Sequence, residues 1–313
     1  MKYLFTAKRI FEELLNTNPQ PTGSYQWFKV MKGDILNFQQ VEDFEKYDVV
    51  HINMTQYDQP YVQDIRTKLK NSSTKIVLNQ DHVPQTWDKA FMHPLTMRQA
   101  FELGDYVFAT TPQAQSMLQA LMPKDRKVHM MPHPCETHIL KKLKFTGYGK
   151  VNHMLIMYHV YDNPVFHPFF ATYDQGITTA LVNYFPENDP RTKATTAMYD
   201  HAYPSVAFPE WLRMLSECKL IYEPYTCHSF GRMSCESACL KVPCVGSDTV
   251  GSMQRLYPNT SGSIWDGMKM RSLISKVLTN VSFRDEIVEH AYDTVEYYNF
   301  KNSKERFMEM IES

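Results

Sequence analysis

The chain has 313 residues, 43% hydrophobic and 13% aromatic, which suits two cores of ordinary size better than one. Formal net charge is −1, split as +4 over residues 1–150 (19 Lys+Arg against 15 Asp+Glu) and −5 over the rest (14 against 19); that asymmetry is too small to establish a nucleic-acid partner. No run approaches the ~18 apolar residues of a membrane span, so no transmembrane segment is expected. The opening Met1-Lys-Tyr-Leu-Phe-Thr-Ala-Lys-Arg9 carries no useful signal-peptide stretch, and a cytoplasmic protein with reduced cysteines is the expectation.

Residues 2–6 read as a first strand. A long connection follows, turning at Asn18-Pro-Gln-Pro-Thr-Gly-Ser24, and 25–31 read as a short helix. Asp48-Val-Val-His-Ile-Asn53 is a compact apolar run of the kind a buried parallel strand requires. Residues 60–70 predict a helix, and Lys75-Ile-Val-Leu-Asn79 the next strand. The alternation continues with a helix over 96–103, a strand over 106–109, a helix over 113–121 and a strand over 127–131. Pro132-His-Pro134 stops it.

The pattern restarts near Gly147–Lys150, where the domain boundary is expected. Strands are predicted over 153–158 and 180–184, then loops around an uncertain strand over 185–204. A helix over 209–217 opens with proline in its first turn. A strand over 219–222, a helix over 232–240 and a strand over 242–245 follow. The chain closes with helices over 250–256, 269–279, 283–297 and from about 303 to the end. Repeated strand–helix alternation argues for parallel sheets covered by helices on both faces.

Five of the six cysteines, Cys218, Cys227, Cys235, Cys239 and Cys244, fall within 27 positions, with Cys135 apart. A metal site of Cys227, His228, Cys235 and Cys239 is one reading. Against it, no CxxC pair exists, and Cys235 and Cys239 fit one helix face as small apolar residues. No metal is expected.

The chemistry is expected where residues 219–247 run strand, loop, helix, strand. The loop His228-Ser229-Phe230-Gly231 delivers the chain into a helix starting near Arg232. A helix N-terminus offers unpaired N–H groups and the positive end of the dipole, which suits a diphosphate. Gly231 permits close approach of backbone to ligand. Glu236, one turn in, offers a carboxylate to a ribose diol. Each residue also has a plain reading: Gly231 as a turn residue, Glu236 as a solvated helix residue, His228 as an ordinary histidine.

Together, Tyr222-Glu-Pro-Tyr-Thr-Cys-His-Ser-Phe-Gly-Arg-Met-Ser-Cys-Glu-Ser-Ala-Cys-Leu-Lys-Val-Pro-Cys-Val-Gly-Ser247 resembles the donor-site signature of GT-B glycosyltransferases, especially glycosyltransferase family 4, with its Glu-x7-Glu spacing. Glu236 stands at the second glutamate, and Pro243 and Ser247 at the following turn and strand end. Asp48-Val-Val-His-Ile52, Lys75-Ile-Val-Leu-Asn-Gln-Asp-His82 and Gly104-Asp-Tyr-Val-Phe-Ala-Thr-Thr-Pro112 follow the family's order of elements, and Met131-Pro-His-Pro-Cys-Glu136 resembles its linker-side turn. Pro21-Thr-Gly-Ser24 stands where the family has its glycine-rich loop. Two departures matter: His228 replaces the first glutamate, and Tyr158-His-Val-Tyr-Asp162 lacks the family's basic pair.

The resemblance implies an α/β GT-B fold, two Rossmann-like domains facing across a cleft. Residues 1–148 would form the acceptor domain and 149–298 the donor domain, with a C-terminal helix of about 299–313 packing back on the first. It implies a retaining, metal-independent hexosyltransferase with no cofactor, the nucleotide-diphosphate sugar being a substrate. The expected donor-binding residues are Ser229, Phe230, Gly231, Arg232, Met233, Glu236 and Gly23. His82, Asp81 and His228 are the catalytic candidates, Asp81 or His82 serving as general base if the enzyme inverts; Asp81 also reads as a cap for the turn before Pro84. Arg232 is the first candidate to neutralise the diphosphate, ahead of Arg191 and Lys193. Hydroxymethylated DNA, a glycan or a lipid are open as acceptor, and oligomeric state is open. The alternatives are a nucleotide-sugar epimerase of the same fold and a non-catalytic nucleotide-sugar-binding protein.

Overall fold

The computed structural model describes residues 1–7, 26–54, 58–80, 93–143, 149–158, 167–183, 199–203 and 206–313. The chain divides into two compact units, one of residues 1–135 and 298–313, the other of 136–297.

The first unit is built on a six-stranded parallel sheet. Its strands are β1 (Tyr3–Ala7), β2 (Asp34–Asn37), β3 (Val49–Met54), β4 (Lys75–Gln80), β5 (Tyr106–Ala109) and β6 (Val128–Met130), in the order β2-β1-β3-β4-β5-β6. All pairings are parallel. The strands are near-continuous apolar runs because both faces are covered: every residue of β1 is buried. Helices α1 (Gln26–Met31), α2 (Gln59–Lys68), α3 (Pro94–Glu102) and α4 (Pro112–Leu121) supply that cover, the last three with proline in the first turn. Thr111 caps α4 by accepting from the Ala114 amide.

The second unit holds β7 (His153–Tyr158), β8 (Thr178–Asn183), β9 (His201–Tyr203), β10 (Leu220–Glu223), β11 (Cys244–Ser247) and β12 (Ser261–Gly262). Their order is β12-β11-β10-β7-β8-β9, again all parallel. From β7 the chain adds β8 and β9 on one side, then returns to add β10, β11 and β12 on the other. The strand order therefore reverses between β7 and β10, the place beyond whose carboxyl ends ligands of such sheets bind. Helices α5 (Thr137–Leu140), α6 (His167–Thr172), α7 (Phe208–Glu217), α8 (Arg232–Cys239), α9 (Gly251–Leu256), α10 (Gly267–Thr279) and α11 (Val281–Thr294) belong to this unit. Its core joins Met154, Ile156, Leu220, Tyr222 and Val245 of the sheet to Met270, Ile274, Val277 and Ile287 of the helices.

The final helix, α12 (Phe300–Glu312), belongs to the first unit. Phe307 and Met310 enter the core of Tyr3, Phe5, Trp27, Val77 and Phe108. The Tyr106 hydroxyl donates to the Ile311 carbonyl at 2.6 Å, satisfying one of the helix's last orphan carbonyls.

The predicted strands and helices occur with ends moved by a few residues. The second strand of the signature region starts two residues later than expected, at Cys244. Val242 instead closes the end of α8, its amide donating to Ser237 and its carbonyl accepting from the Ser237 and Tyr257 hydroxyls. Four short elements of the described residues lie outside the sequence expectations: β2, β12, α5 and α6. β2 is a half-exposed edge strand without an apolar run.

Candidate functional site

The site is assembled from β10, the loop 224–231, α8 and α9. Strand β10 is buried throughout and ends at Glu223 beside the point where the strand order reverses. The loop then passes alongside β11 and α9. Ser229 pairs with Val250 as an isolated bridge, and its carbonyl accepts from the Gly251 amide at 2.9 Å. The Phe230 carbonyl accepts from the Ser252 amide at 3.0 Å. These bonds hold the loop while leaving the start of α8 to be set by Gly231.

Gly231 is the N-cap of α8, with φ 78° and ψ 82°. A side chain there is excluded twice over: the φ is left-handed, and a Cβ would stand 2.0 Å from Val250 Cγ1 and 2.6 Å from Ser252 Oγ. Glycine at this position is therefore a requirement of the fold, beyond a loose turn. The Gly231 carbonyl accepts from the Ser252 hydroxyl and, at 3.0 Å, from the Ser234 hydroxyl. The chain thus enters α8 with its first amides presented at the turn.

Glu236 is not a solvated helix residue. Its side chain is 2% exposed, and each carboxylate oxygen has a protein donor. Arg232 Nε lies 2.6 Å from Oε1, one helical turn earlier. Trp211 Nε1, from the fully buried indole of α7, donates to Oε2 at 2.6 Å. The Arg232 guanidinium stands 5.5 Å from the centre of the Phe208 ring, also on α7. The sequence expectation that Arg232 faces a ligand and Glu236 a ribose thus meets a protein in which the two hold each other.

Ser229 and His228 are half-buried, and neither His228 Nδ1 nor Ser229 Oγ has a hydrogen-bond partner among the described residues. Phe230 and Met233 are buried and pack inward. The loop therefore offers His228 and Ser229 as its polar groups, with Phe230 and Met233 as its anchors. Gly23, Asp81, His82, Arg191 and Lys193 lie outside the described residues. Among the described residues no group of three or more His, Cys, Asp or Glu side chains converges to hold a metal. The six cysteines are buried.

Sequence reasoning missed three participants. Trp211 lies 25 residues from the carboxylate it holds. Ser252 reaches the Gly231 carbonyl from a different helix. Glu223 is 1% exposed with no hydrogen-bond partner on either carboxyl oxygen among the described residues. Burial pushes its carboxyl up to about 8; the Ser234 hydroxyl and amide beside it oppose the shift, and the nearby Glu236 carboxylate adds to it. A charged residue closing an apolar strand, Leu-Ile-Tyr-Glu, is the only signal the sequence offered.

A separate surface cavity of about 510 Å³ opens among Asn152, Tyr173, Thr178 and Asp200, at the amino ends of β7 and β8. Ligands of doubly wound sheets bind at the carboxyl ends, so size alone does not make it the site. In the first unit, His51 is fully buried between the Tyr3 hydroxyl at Nδ1 and Asn79 Oδ1 at 2.6 Å from Nε2. Asn79 in turn donates to Asn53 Oδ1 at 3.0 Å. This polar chain runs through the core to the carboxyl ends of β3 and β4, directly before Asp81 and His82.

No protein-family model and no curated protein matches the sequence. Solved structures do match the fold. Anabaena HepE in complex with UDP is 13% identical, with 100% of both chains covered and a TM-score of 0.72. Sucrose-phosphate synthase from Thermosynechococcus elongatus is 10% identical, with 100% of this chain and 98% of that chain covered and a TM-score of 0.76. An alpha-glucosyltransferase in complex with UDP-glucose and DNA containing an abasic site is 10% identical, with 99% and 98% covered and a TM-score of 0.68. At such identities the likeness is one of fold, and the fold of this chain, two six-stranded parallel sheets each flanked by helices, is that of the GT-B glycosyltransferases.

Proposed function

We propose that this protein is a glycosyltransferase, of the family 4 type, that binds a nucleoside-diphosphate sugar at the start of α8. One observation carries the reading. A left-handed glycine that no other residue can replace presents a helix N-terminus at the reversal point of a doubly wound sheet. Structures of the same fold, at full coverage, hold UDP and UDP-glucose.

In this reading the diphosphate sits on the amides after Gly231. The ribose hydroxyls replace Arg232 at Glu236 Oε1, and the released guanidinium turns to the diphosphate. Trp211 keeps the carboxylate in place during the exchange. The partner switch conserves the charge balance: the carboxylate trades one donor for hydroxyl donors, and the cation trades a carboxylate for phosphate. His228 and Ser229, the polar groups of the loop, contact the sugar or its phosphate.

The reaction breaks the bond between the sugar's anomeric carbon and the β-phosphate oxygen, whose electron pair leaves with the nucleoside diphosphate. A bond forms from the acceptor oxygen to the anomeric carbon, and the acceptor proton passes to the departing phosphate oxygen. The protein's part is to orient the reactants and stabilise the developing charge. Retention of configuration and independence from metal belong to this proposal, as do the first unit as acceptor domain, with Asp81 and His82 as its catalytic candidates, and a DNA hydroxyl, a glycan or a lipid as acceptor.

The test is a thermal-shift and calorimetric series with UDP, GDP, ADP and their glucose conjugates, followed by slow donor hydrolysis and an anomeric assay. Binding of one base with release of nucleoside diphosphate supports the reading. Conversion of the donor sugar alone without release identifies an epimerase, binding without turnover in any acceptor identifies a binding protein, and no binding removes the donor site. An inverted product or loss of activity in EDTA overturns the retaining, metal-free part. A steep fall of activity with salt identifies a polyanionic acceptor, and a flat profile excludes it.

A further inference from the structure

Glu223 takes no part in the donor chemistry proposed above, yet it lies directly beneath the turn that serves it. A Cβ on Gly231 would stand 3.2 Å from Glu223 Oε1. The Ser234 amide and hydroxyl, in the first turn of α8, face the same carboxyl. Glu223 therefore approaches from inside the helix N-terminus that would receive a diphosphate from outside.

The hydrogens around it can be accounted for. The Ser234 and Ser252 hydroxyls lie 2.5 Å apart and both reach the Gly231 carbonyl. In this arrangement both hydroxyl protons are taken up within the triangle. Glu223 faces the Ser234 oxygen as an acceptor and the Ser234 amide as a donor, and neither carboxyl oxygen is in hydrogen-bond geometry with a described residue. A carboxylate needs donors; a carboxylic acid brings its own. Among the other titratable neighbours, the Glu236 carboxylate on α8 disfavours a second charge, the Cys244 thiol on β11 is itself held neutral by burial, and the cation of α8, Arg232, is engaged with Glu236. By register β11 sets Gly246 opposite Glu223, and α9 contributes the Ser252 hydroxyl.

We infer that Glu223 is held as a neutral acid, and that its ionisation closes the Gly231 turn to anionic ligands, making it the pH-sensing positioning residue of this site. A negative charge here cancels the positive end of α8 and repels a second anion across the same few amides. The ligand in this inference rests on the proposed function; the protonation state does not. Burial pushes the carboxyl to about 8, so the change falls at mildly alkaline pH.

The experiment titrates UDP into the full-length wild type and E223Q between about pH 7 and about pH 9.5, where ionisation of UDP itself, at the terminal phosphate and at uracil N3, is common to both proteins and cancels in their ratio. The wild type is expected to lose roughly tenfold in affinity relative to E223Q across the range. Identical profiles overturn the inference. If the wild type binds neither UDP, GDP nor ADP at any pH, the donor reading fails instead. Glu223 is then judged by melting temperature without ligand: a fall with pH that E223Q lacks supports it, and parallel curves overturn it. Should E223Q fail to fold, infrared spectra of the wild type decide. A protonated-carboxyl band at neutral pH that titrates away near pH 8 supports the inference, and its absence overturns it.

Discussion

Replacing Gly231 by alanine puts the account of the turn under the most direct test. Two costs follow from the structure. At φ 78° an L-residue is strained, by about 1–2 kcal/mol. The added carbon also meets Val250 Cγ1 at 2.0 Å, and Val250 is fully buried between loop and sheet with no room to withdraw. Overpacking of that kind costs about 1–3 kcal/mol. Gly231→Ala should therefore lose about 3 kcal/mol, or roughly 6–12 °C in melting temperature for a unit of this size. The structure supplies its own control. Gly176 has φ 66° but nothing within 4 Å of the added carbon, so Gly176→Ala should cost only the backbone part, about 1 kcal/mol. Urea denaturation of both variants separates the terms. Equal losses would refute the packing argument, and a Gly231→Ala loss below that of the control would refute the whole account of the turn. In the folded variant, nucleotide affinity should fall at least about tenfold, because the amides no longer converge.

Three further predictions follow from the same contacts. Glu236→Ala leaves the buried Trp211 N–H without its acceptor and should cost about 1–3 kcal/mol of stability; loss of two ribose hydrogen bonds should weaken nucleotide binding by a further 1.5–3 kcal/mol or about 10- to 150-fold, and an unchanged affinity in calorimetry would place the ribose elsewhere. Glu223 makes stability fall with rising pH: its folded carboxyl, at about 8, binds the proton more tightly than the free value of 4.5, so its contribution is complete below the free value and is lost as pH passes the folded one, by at most about 4–5 kcal/mol. Urea midpoints from about pH 5 to about pH 9 should show this slope in the wild type and lack it in E223Q. Phe307→Ala removes a fully buried ring from the core shared by α12 and β1 and should cost about 3–5 kcal/mol; a loss under about 1 kcal/mol, measured by urea denaturation, would mean that α12 contributes little to the first unit.

The strands of both units were legible because a parallel sheet covered on two faces needs unbroken apolar runs, and Val49-Val-His-Ile52, Lys75-Ile-Val-Leu78 and Leu220-Ile-Tyr222 supply them. Edge strand β2, Asp34-Ile-Leu-Asn37, has no such run, because one edge and part of its surface face solvent. At the candidate site, glycine followed by a helix start and a glutamate one turn later was visible as local chain geometry. Its surroundings were not. Trp211 and Ser252 reach the turn from 25 residues before Glu236 and 21 residues after Gly231, and no local pattern encodes such a meeting.

By itself, then, the sequence determined the alternation of strands and helices, the start of α8 at the Gly231 turn, and the apolar stripe of Phe307, Met310 and Ile311 on the last helix. Only the tertiary structure decided which strands are neighbours, and so where the strand order reverses. Only it assigned the stripe of α12 to the core of Tyr3, Trp27 and Phe108, and turned Glu223 from the last letter of a strand into a buried acid under a helix N-terminus. The reason is physical: periodicity reports which face of an element avoids water, whereas the charge state of a side chain depends on every group that packing brings around it.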